Sequence, residues 1–279
     1  MKVIRASALG MCFGVRDAIQ MTQSIDRSTD VTIHGELVHN HQVLVQLRER
    51  GFHMLAEDER RCMPATSSVL VTAHGISDKQ RGRFVAAGKQ LIDTTCPLVK
   101  RVHETAQRFE RDGFHVLLVG RPGHVEVRGV IEDLASFDVI ASVDDVESWP
   151  FSKLGVVCQT TTPPRHANSV LREIEIQNPR ADVRFNNTIC QPTMERQRAL
   201  EQLCRMVDSV VVVGGMNSNN TRQLVDLARA TGISAWQVQS ATDLKREWFR
   251  GCEKVGLTAG TSTLDSAVDE VFDALAALR

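Results

Sequence analysis

The stretch VLLVGRPGH, residues 116–124, decides the fold class of this chain. It begins with four apolar residues and passes through a loop of glycine, proline and histidine into a helical pattern. The same order recurs at residues 69–75 and 210–218. Uninterrupted apolar runs of this length are typical of strands that a parallel sheet buries on both faces. The pattern therefore predicts α/β units with parallel sheets.

A second set of strand-like runs alternates with the first, at residues 91–93, 155–157 and 255–257. Each run leads into a loop of small polar residues, with the sequences TTCP, CQTT and TAGTS. Nearly all side chains of chemical interest follow a predicted strand. Because ligands of parallel sheets gather outside the carboxyl ends of the strands, we expect the functional site in these loops.

The composition is that of a globular protein, with 279 residues, 42% hydrophobic and 24% charged side chains. A net charge of −1 gives no electrostatic footprint for nucleic acid or for an anionic membrane. The first residues lack the apolar core of a signal peptide, and no apolar run approaches the length of a membrane span. The sequence therefore predicts a cytoplasmic protein.

Seven cysteines occur in the chain, and a reducing compartment is not expected to join them in disulfides. Three of them, Cys12, Cys96 and Cys190, lie at boundaries between predicted elements and have nearly equal separations. Spacing alone favours the ordinary interpretation of each as a small buried hydrophobe. One ligand from each of three units to a shared metal site is the alternative. The other four are Cys62, Cys158, Cys204 and Cys252.

Three histidines, His39, His74 and His124, lie in predicted loops, where helix capping or simple exposure is the ordinary interpretation. Zinc binding is an alternative, although no HxxxH pattern supports it. The loops at residues 216–221 and 258–262 are rich in hydroxyl and amide donors and open helices, which favours an anionic ligand. They match neither a Walker loop nor GxGxxG, so a phosphate-bearing ligand is a hypothesis.

Nine motifs occur in order along the whole chain: GMCFGV (10–15), LVHN (37–40), AHG (73–75), DTTCPLV (93–99), GHVEV (123–127), QTT (159–161), TICQPT (188–193), NSNNT (217–221) and TAGTS (258–262). By these motifs the chain resembles the 4-hydroxy-3-methylbut-2-enyl diphosphate reductase (IspH/LytB) family. The resemblance implies a trefoil of three similar α/β domains, with small, mostly parallel sheets around a central iron–sulfur cluster. The implied domains are residues 14–96, residues 97–192, and residues 1–13 together with 193–279.

The resemblance also implies a chemistry and a site. It assigns Cys12, Cys96 and Cys190 as the ligands of one [4Fe–4S] cluster. It also implies a reaction in which two electrons remove the substrate hydroxyl as water. It implies Glu126, Thr160 and His124 as catalytic residues. The implied substrate-binding residues are His39, His74, His124, Thr160, Ser218, Asn219, Asn220 and Ser262. A ferredoxin or flavodoxin-type electron donor and a monomeric state are expected, with no nucleic acid or membrane partner.

The chain departs from the family pattern at four places. Met11 stands where the family usually has phenylalanine before Cys12, which is a mild exchange. Val125 and Leu264 stand where the family usually has proline, and Met216 stands where it usually has lysine. Loss of that lysine removes a positive charge from the implied diphosphate site. The alternative is therefore a divergent cluster-binding paralogue that acts on another diphosphate or serves as a redox sensor.

Overall fold

The computed structural model describes residues 1–278, which form two compact units. One unit, called here the terminal unit, comprises residues 1–16, 39–42 and those from 191 onward. The other, the middle unit, comprises residues 17–38 and 43–190. None of the helices in the described part of the chain is long and apolar enough to cross a membrane.

The described residues form twelve strands: β1 (Lys2–Arg5), β2 (Val31–Ile33), β3 (His53–Met54), β4 (Ser68–Val71), β5 (Gln90–Asp93), β6 (His115–Val119), β7 (Phe137–Ile140), β8 (Lys153–Cys158), β9 (Asp182–Phe185), β10 (Ser209–Val213), β11 (Ser234–Val238) and β12 (Lys254–Ala259). The same residues form nine α-helices: α1 (Phe13–Gln23), α2 (His41–Glu49), α3 (Asp78–Ala86), α4 (Pro97–Arg111), α5 (Val125–Ile131), α6 (Pro164–Gln177), α7 (Gln191–Cys204), α8 (Asn219–Ala230) and α9 (Asp265–Ala277).

The strands form three four-stranded sheets in which every pairing is parallel, with the orders β5-β4-β2-β3, β9-β8-β6-β7 and β1-β12-β10-β11. The first two sheets belong to the middle unit and the third to the terminal unit. The three orders are one topology repeated, except that β1 supplies the edge strand of the third sheet from the other end of the sequence. The predicted α/β fold with three small parallel sheets is confirmed.

The apolar runs that begin at residues 69, 116 and 210 lie in β4, β6 and β10, and every residue of these three strands is buried. A strand covered on both faces has no place for an alternating polar pattern, which is why these runs are apolar throughout. Each is followed by a loop and a helix, as predicted.

A glycine at the third position of β8 and of β12 allows a helix to pack closely on each sheet. A Cβ atom at Gly155 would lie 2.6 Å from the ring of Phe109 on α4. A Cβ atom at Gly256 would lie 2.8 Å from the side chain of Leu203 on α7. The repeat therefore extends from the strand order to the packing of individual side chains.

Candidate active site

The three predicted ligand cysteines lie in turns of the same construction. Cys12, Cys96 and Cys190 each follow an edge strand and directly precede a helix. The backbone N–H of each donates to a carbonyl two residues beyond the end of the neighbouring strand. These acceptors are Thr261 for Cys12 at 2.9 Å, Ala73 for Cys96 at 3.1 Å and Thr160 for Cys190 at 2.9 Å. A helix N-terminus favours negative charge, so each turn is suited to a thiolate.

The other four cysteines have different surroundings. Cys158 is fully buried at the end of β8, and burial raises the pKa of its thiol to about 12. Cys204 is buried on α7, and burial is the main cause of its raised pKa. Cys62 is exposed, and Cys252 is half-buried with its Sγ 3.7 Å from Ser209 Oγ. None of the four lies directly before an α-helix, and over residues 1–278 no disulfide joins any cysteine.

Four predicted site residues come together in the middle unit. The carboxylate of Glu126 is buried and accepts two hydrogen bonds from Thr160, from the backbone N–H at 2.7 Å and from Oγ1 at 2.8 Å. His124 caps α5, since its Nδ1 accepts the N–H of Glu126 at 3.2 Å. With Nδ1 as an acceptor, a neutral His124 carries its proton on Nε2. The ring of His74 meets the ring of His124 edge-on, with centroids 5.9 Å apart.

The terminal unit gathers the amide and hydroxyl donors around the start of α8. Ser218 caps this helix by accepting the N–H of Thr221 at 3.3 Å. Asn219 and Asn220 follow it and are buried. Asn220 accepts the N–H of Thr261 through Oδ1 at 3.1 Å, whereas its Nδ2 is buried with no hydrogen-bond partner in the described residues. A buried amide donor left unpaired is costly, so this group fits a bound anion.

His39 and Ser262 are held next to each other in the same unit. Ser262 Oγ donates to the carbonyl of His39 at 3.1 Å, and Asn40 Nδ2 donates to the carbonyl of Ser262 at 2.7 Å. On the other side, a Cβ atom at Gly215 would lie only 2.8 Å from the carbonyl of His39. The loop after β10 therefore requires glycine where it contacts this segment.

Two charged side chains outside the predicted site residues fix two of the three cysteine turns. Arg196 is buried and donates to the carbonyl of Gly10 from Nη2 at 2.7 Å and from Nε at 3.1 Å. The turn before Cys12 requires glycine at position 10, because the backbone there has a φ of 75°. Arg196 lies three residues beyond the motif around Cys190, and this position in the sequence gives no indication of its target.

The second is Asp93, which closes the turn before Cys96. Its carboxylate accepts the backbone N–H of Thr95 at 2.9 Å and pairs with Lys100 at 2.8 Å and Arg81 at 3.2 Å. Burial raises the pKa of Asp93, but hydrogen bonds from Lys100 and Thr95 outweigh it and hold the pKa well below its usual range. The carboxylate is therefore a permanent negative charge behind this turn.

The predicted ligand cysteines are divided between the two units, with Cys12 in the terminal unit and Cys96 and Cys190 in the middle unit. Within either unit, the described residues contain no group of three or more His, Cys, Asp or Glu side chains placed to bind a metal ion.

Comparison with known proteins gives one consistent result. The family model described as LytB protein matches residues 3–276. A 4-hydroxy-3-methylbut-2-enyl diphosphate reductase of Geobacter sp. strain M21 is 33% identical, covering 100% of this chain and 98% of the relative. One of Anaeromyxobacter sp. strain Fw109-5 is 35% identical over 97% of this chain and 95% of its own.

Two solved structures are similar as well. The E-1-hydroxy-2-methyl-but-2-enyl-4-diphosphate reductase of Plasmodium falciparum aligns with a TM-score of 0.89 at 25% identity, over 98% of this chain and 87% of that one. A structure of (E)-4-hydroxy-3-methyl-but-2-enyl diphosphate reductase, described as the terminal enzyme of the non-mevalonate pathway, aligns with a TM-score of 0.68 at 31% identity, over 99% of both chains.

Proposed function

Because the chain belongs to the LytB protein family, we propose that it is a 4-hydroxy-3-methylbut-2-enyl diphosphate reductase. The reaction takes two electrons and two protons, breaks the allylic C–O bond, and yields water with isopentenyl or dimethylallyl diphosphate. This is the last step of the non-mevalonate route to isoprenoids. The observation that carries the proposal is the buried Glu126 carboxylate, held by Thr160 and next to His124 and His74.

The proposed cofactor is a [4Fe–4S] cluster on Cys12, Cys96 and Cys190. The donor set fits: these three thiols share one turn geometry at helix N-termini, and such positions favour the thiolate form that ligates iron. When bound, the cluster supplies the electrons and a Lewis-acidic iron without a protein ligand. Arg196 and Asp93 hold the backbone of two of the turns.

The proposed diphosphate site consists of neutral or weakly basic donors. Its members are His39, His74, His124, Ser218, Asn219, Asn220 and Ser262. The unpaired Nδ2 of Asn220 is a buried donor, and a hydrogen bond to a phosphate oxygen would remove the cost of leaving it unsatisfied. Charge-assisted hydrogen bonds of this kind are stronger than those between neutral groups. Met216, where the family usually has lysine, is exposed, so the site depends on dipoles more than on fixed charge.

Glu126 is the proposed proton donor, and Thr160 and His124 orient it. The two hydrogen bonds from Thr160 fix both carboxylate oxygens, so the carboxyl group is held in one orientation before substrate arrives. Three domains at residues 14–96, 97–192 and 1–13 with 193–279 are proposed as the frame, one for each sheet. A monomeric state, a cytoplasmic location and a ferredoxin or flavodoxin-type donor stay predictions.

The proposal is tested with protein purified without oxygen. Iron and sulfide are measured, and reduction of the hydroxylated diphosphate is followed with an artificial one-electron donor. We expect roughly four irons per chain together with turnover. A full cluster without turnover on this substrate would contradict the proposed reaction and direct attention to other allylic diphosphates.

A further inference from the structure

A cavity of about 500 Å³ lies within the middle unit. Its wall is formed by the end of β2, the 3₁₀ helix Asp58–Arg61, α3 and α5. Its size is that of a small-molecule site. None of the proposed catalytic, substrate-binding or cluster residues lines it.

The cavity carries a strong excess of positive charge. Four arginines line it: Arg60, Arg61, Arg83 and Arg128. Glu57 pairs with Arg60 at 2.8 Å and approaches Arg128 at 3.6 Å. The only acidic residue in the described lining is Glu132, which accepts a hydrogen bond from Ser77. Arg61 and Arg83 form no ion pair with any described residue. Arg83 donates from Nη1 to Gln80 Oε1 at 3.0 Å, which leaves its other N–H groups and the Arg61 guanidinium available to an anion.

Two buried polar side chains point to a ligand. His34 and Gln80 line the cavity with only 1% and 6% of their surface exposed. The Nδ1 of His34 and the Nε2 of Gln80 have no hydrogen-bond partner in the described residues. Burial, and then the charges of Arg60 and Arg83, lower the pKa of His34 to about 3, so the imidazole is neutral at neutral pH. Unpaired buried groups of this kind are rare unless something binds them.

We propose that this cavity binds a small organic phosphate or diphosphate. The anionic group of this ligand contacts Arg61, Arg83 and the Gln80 amide. Each guanidinium group can donate two parallel hydrogen bonds to the oxygens of one phosphate. The apolar part of the ligand packs on Ile76 and Val125. The His34 and Gln80 groups are too deeply buried for the flat surface of an acidic protein, which favours a small molecule.

Occupancy of the cavity acts on the helix that carries Glu126. Val125, Arg128, Gly129 and Glu132 line the cavity at the spacing of one helical face. Glu126 projects from the same helix toward Thr160. A ligand in the cavity therefore contacts α5 directly, and we expect it to change turnover without entering the proposed active site. The cavity site does not depend on the proposed reaction.

The test is calorimetric titration of the full chain, purified without oxygen, with inorganic pyrophosphate. The cavity variant is R61A/R83A, and the matched control is R108A/R172A, which removes two exposed arginines outside the cavity. We expect a class of binding that weakens at least about tenfold in R61A/R83A and is retained in the control and in Ser262→Ala. Gln80→Leu keeps the size of the side chain and should weaken the same class.

Circular dichroism establishes that each variant is folded. Pyrophosphate binding that is unchanged in R61A/R83A overturns the proposal, as does equal weakening in R108A/R172A. Loss of all binding in Ser262→Ala also overturns it, because the anion would then occupy the proposed active site alone. If a poly-glutamate peptide displaces pyrophosphate at lower concentration than pyrophosphate itself requires, the surface recognises an acidic polypeptide instead.

Discussion

Glu126 and Asn220 occupy equivalent positions in two of the repeated strand–loop–helix units. Each is the second residue of the helix that follows a fully buried strand, α5 after β6 and α8 after β10. The side-chain oxygen of each accepts a threonine N–H, that of Thr160 at 2.7 Å and that of Thr261 at 3.1 Å. The carbonyl of the same threonine then accepts the N–H of a proposed cluster ligand.

The third sheet shows which part of this arrangement the fold requires. There the equivalent N–H belongs to Ala73 and donates to the backbone carbonyl of Leu37 at 3.3 Å, with no side chain involved. An acceptor is thus the structural requirement, and an amide or a carbonyl meets it. A carboxyl group is more than this position needs, which supports the proposed role of Glu126 as a proton donor.

The strongest test of this comparison is Glu126→Gln. The new amide retains an oxygen to accept the Thr160 N–H, so the fold and the proposed cluster should remain. The proton is lost, and we expect turnover to fall about 10²–10⁴-fold, the usual value of general acid catalysis. Iron content and turnover are measured on the same preparation. Turnover within about twofold of the wild type would remove Glu126 from the mechanism.

The reverse exchange, Asn220→Asp, tests the other side. Its carboxylate can still accept the Thr261 N–H, but it removes the Nδ2 donor and adds negative charge where a diphosphate is proposed to bind. We expect KM to rise about 10–100-fold with a smaller change in kcat, since the lost interaction is one of binding. Steady-state kinetics separate the two constants, and a fall confined to kcat would contradict the assignment.

The shared strand glycine gives a prediction that concerns packing alone. Gly155→Ala and Gly256→Ala each place a Cβ within 3 Å of Phe109 or Leu203, and each should destabilise its sheet by about 1–3 kcal/mol. Gly82→Ala is the control, because a Cβ there meets nothing within 4 Å on an exposed helix face. It should stabilise by about 0.5–1 kcal/mol. Urea unfolding midpoints of the three variants decide whether the two sheets respond alike.

The smallest effect concerns His34 at the end of β2, where the pKa is lowered to about 3 from 6.5. In the unfolded chain the His34 imidazole takes up a proton as the pH falls below about 6.5, whereas in the folded chain it stays neutral down to about pH 3. The free energy of unfolding therefore decreases as the pH falls. Between about pH 7 and about pH 5.5 the wild type should lose roughly 1 kcal/mol more than His34→Asn. Unfolding free energies at both pH values test this, and parallel losses would contradict a buried neutral imidazole.

The parallel α/β class and six of the twelve described strands, β4, β5, β6, β8, β10 and β12, were predicted from the sequence. Fully apolar runs identify β4, β6 and β10, because a strand that is buried on both faces carries apolar side chains on both faces. The sequence did not predict that Glu126 and Asn220 are equivalent, because the equivalence lies in which backbone N–H each side chain reaches. Arg196, Asp93 and the basic cavity were missed for a similar reason. Single arginines scattered through the chain give no signal until α3, α5 and the 3₁₀ helix meet.

The pairing of β1 with β12 has a consequence for biosynthesis. In the described residues β1 pairs with β12 alone, with Val3 opposite Val255, so β1 is synthesised long before its strand partner. The two other sheets are each built from consecutive strands and can fold while translation continues. Until β12 and Thr261 have been made, the nascent chain has two complete cysteine turns, and the turn of Cys12 still lacks its backbone acceptor.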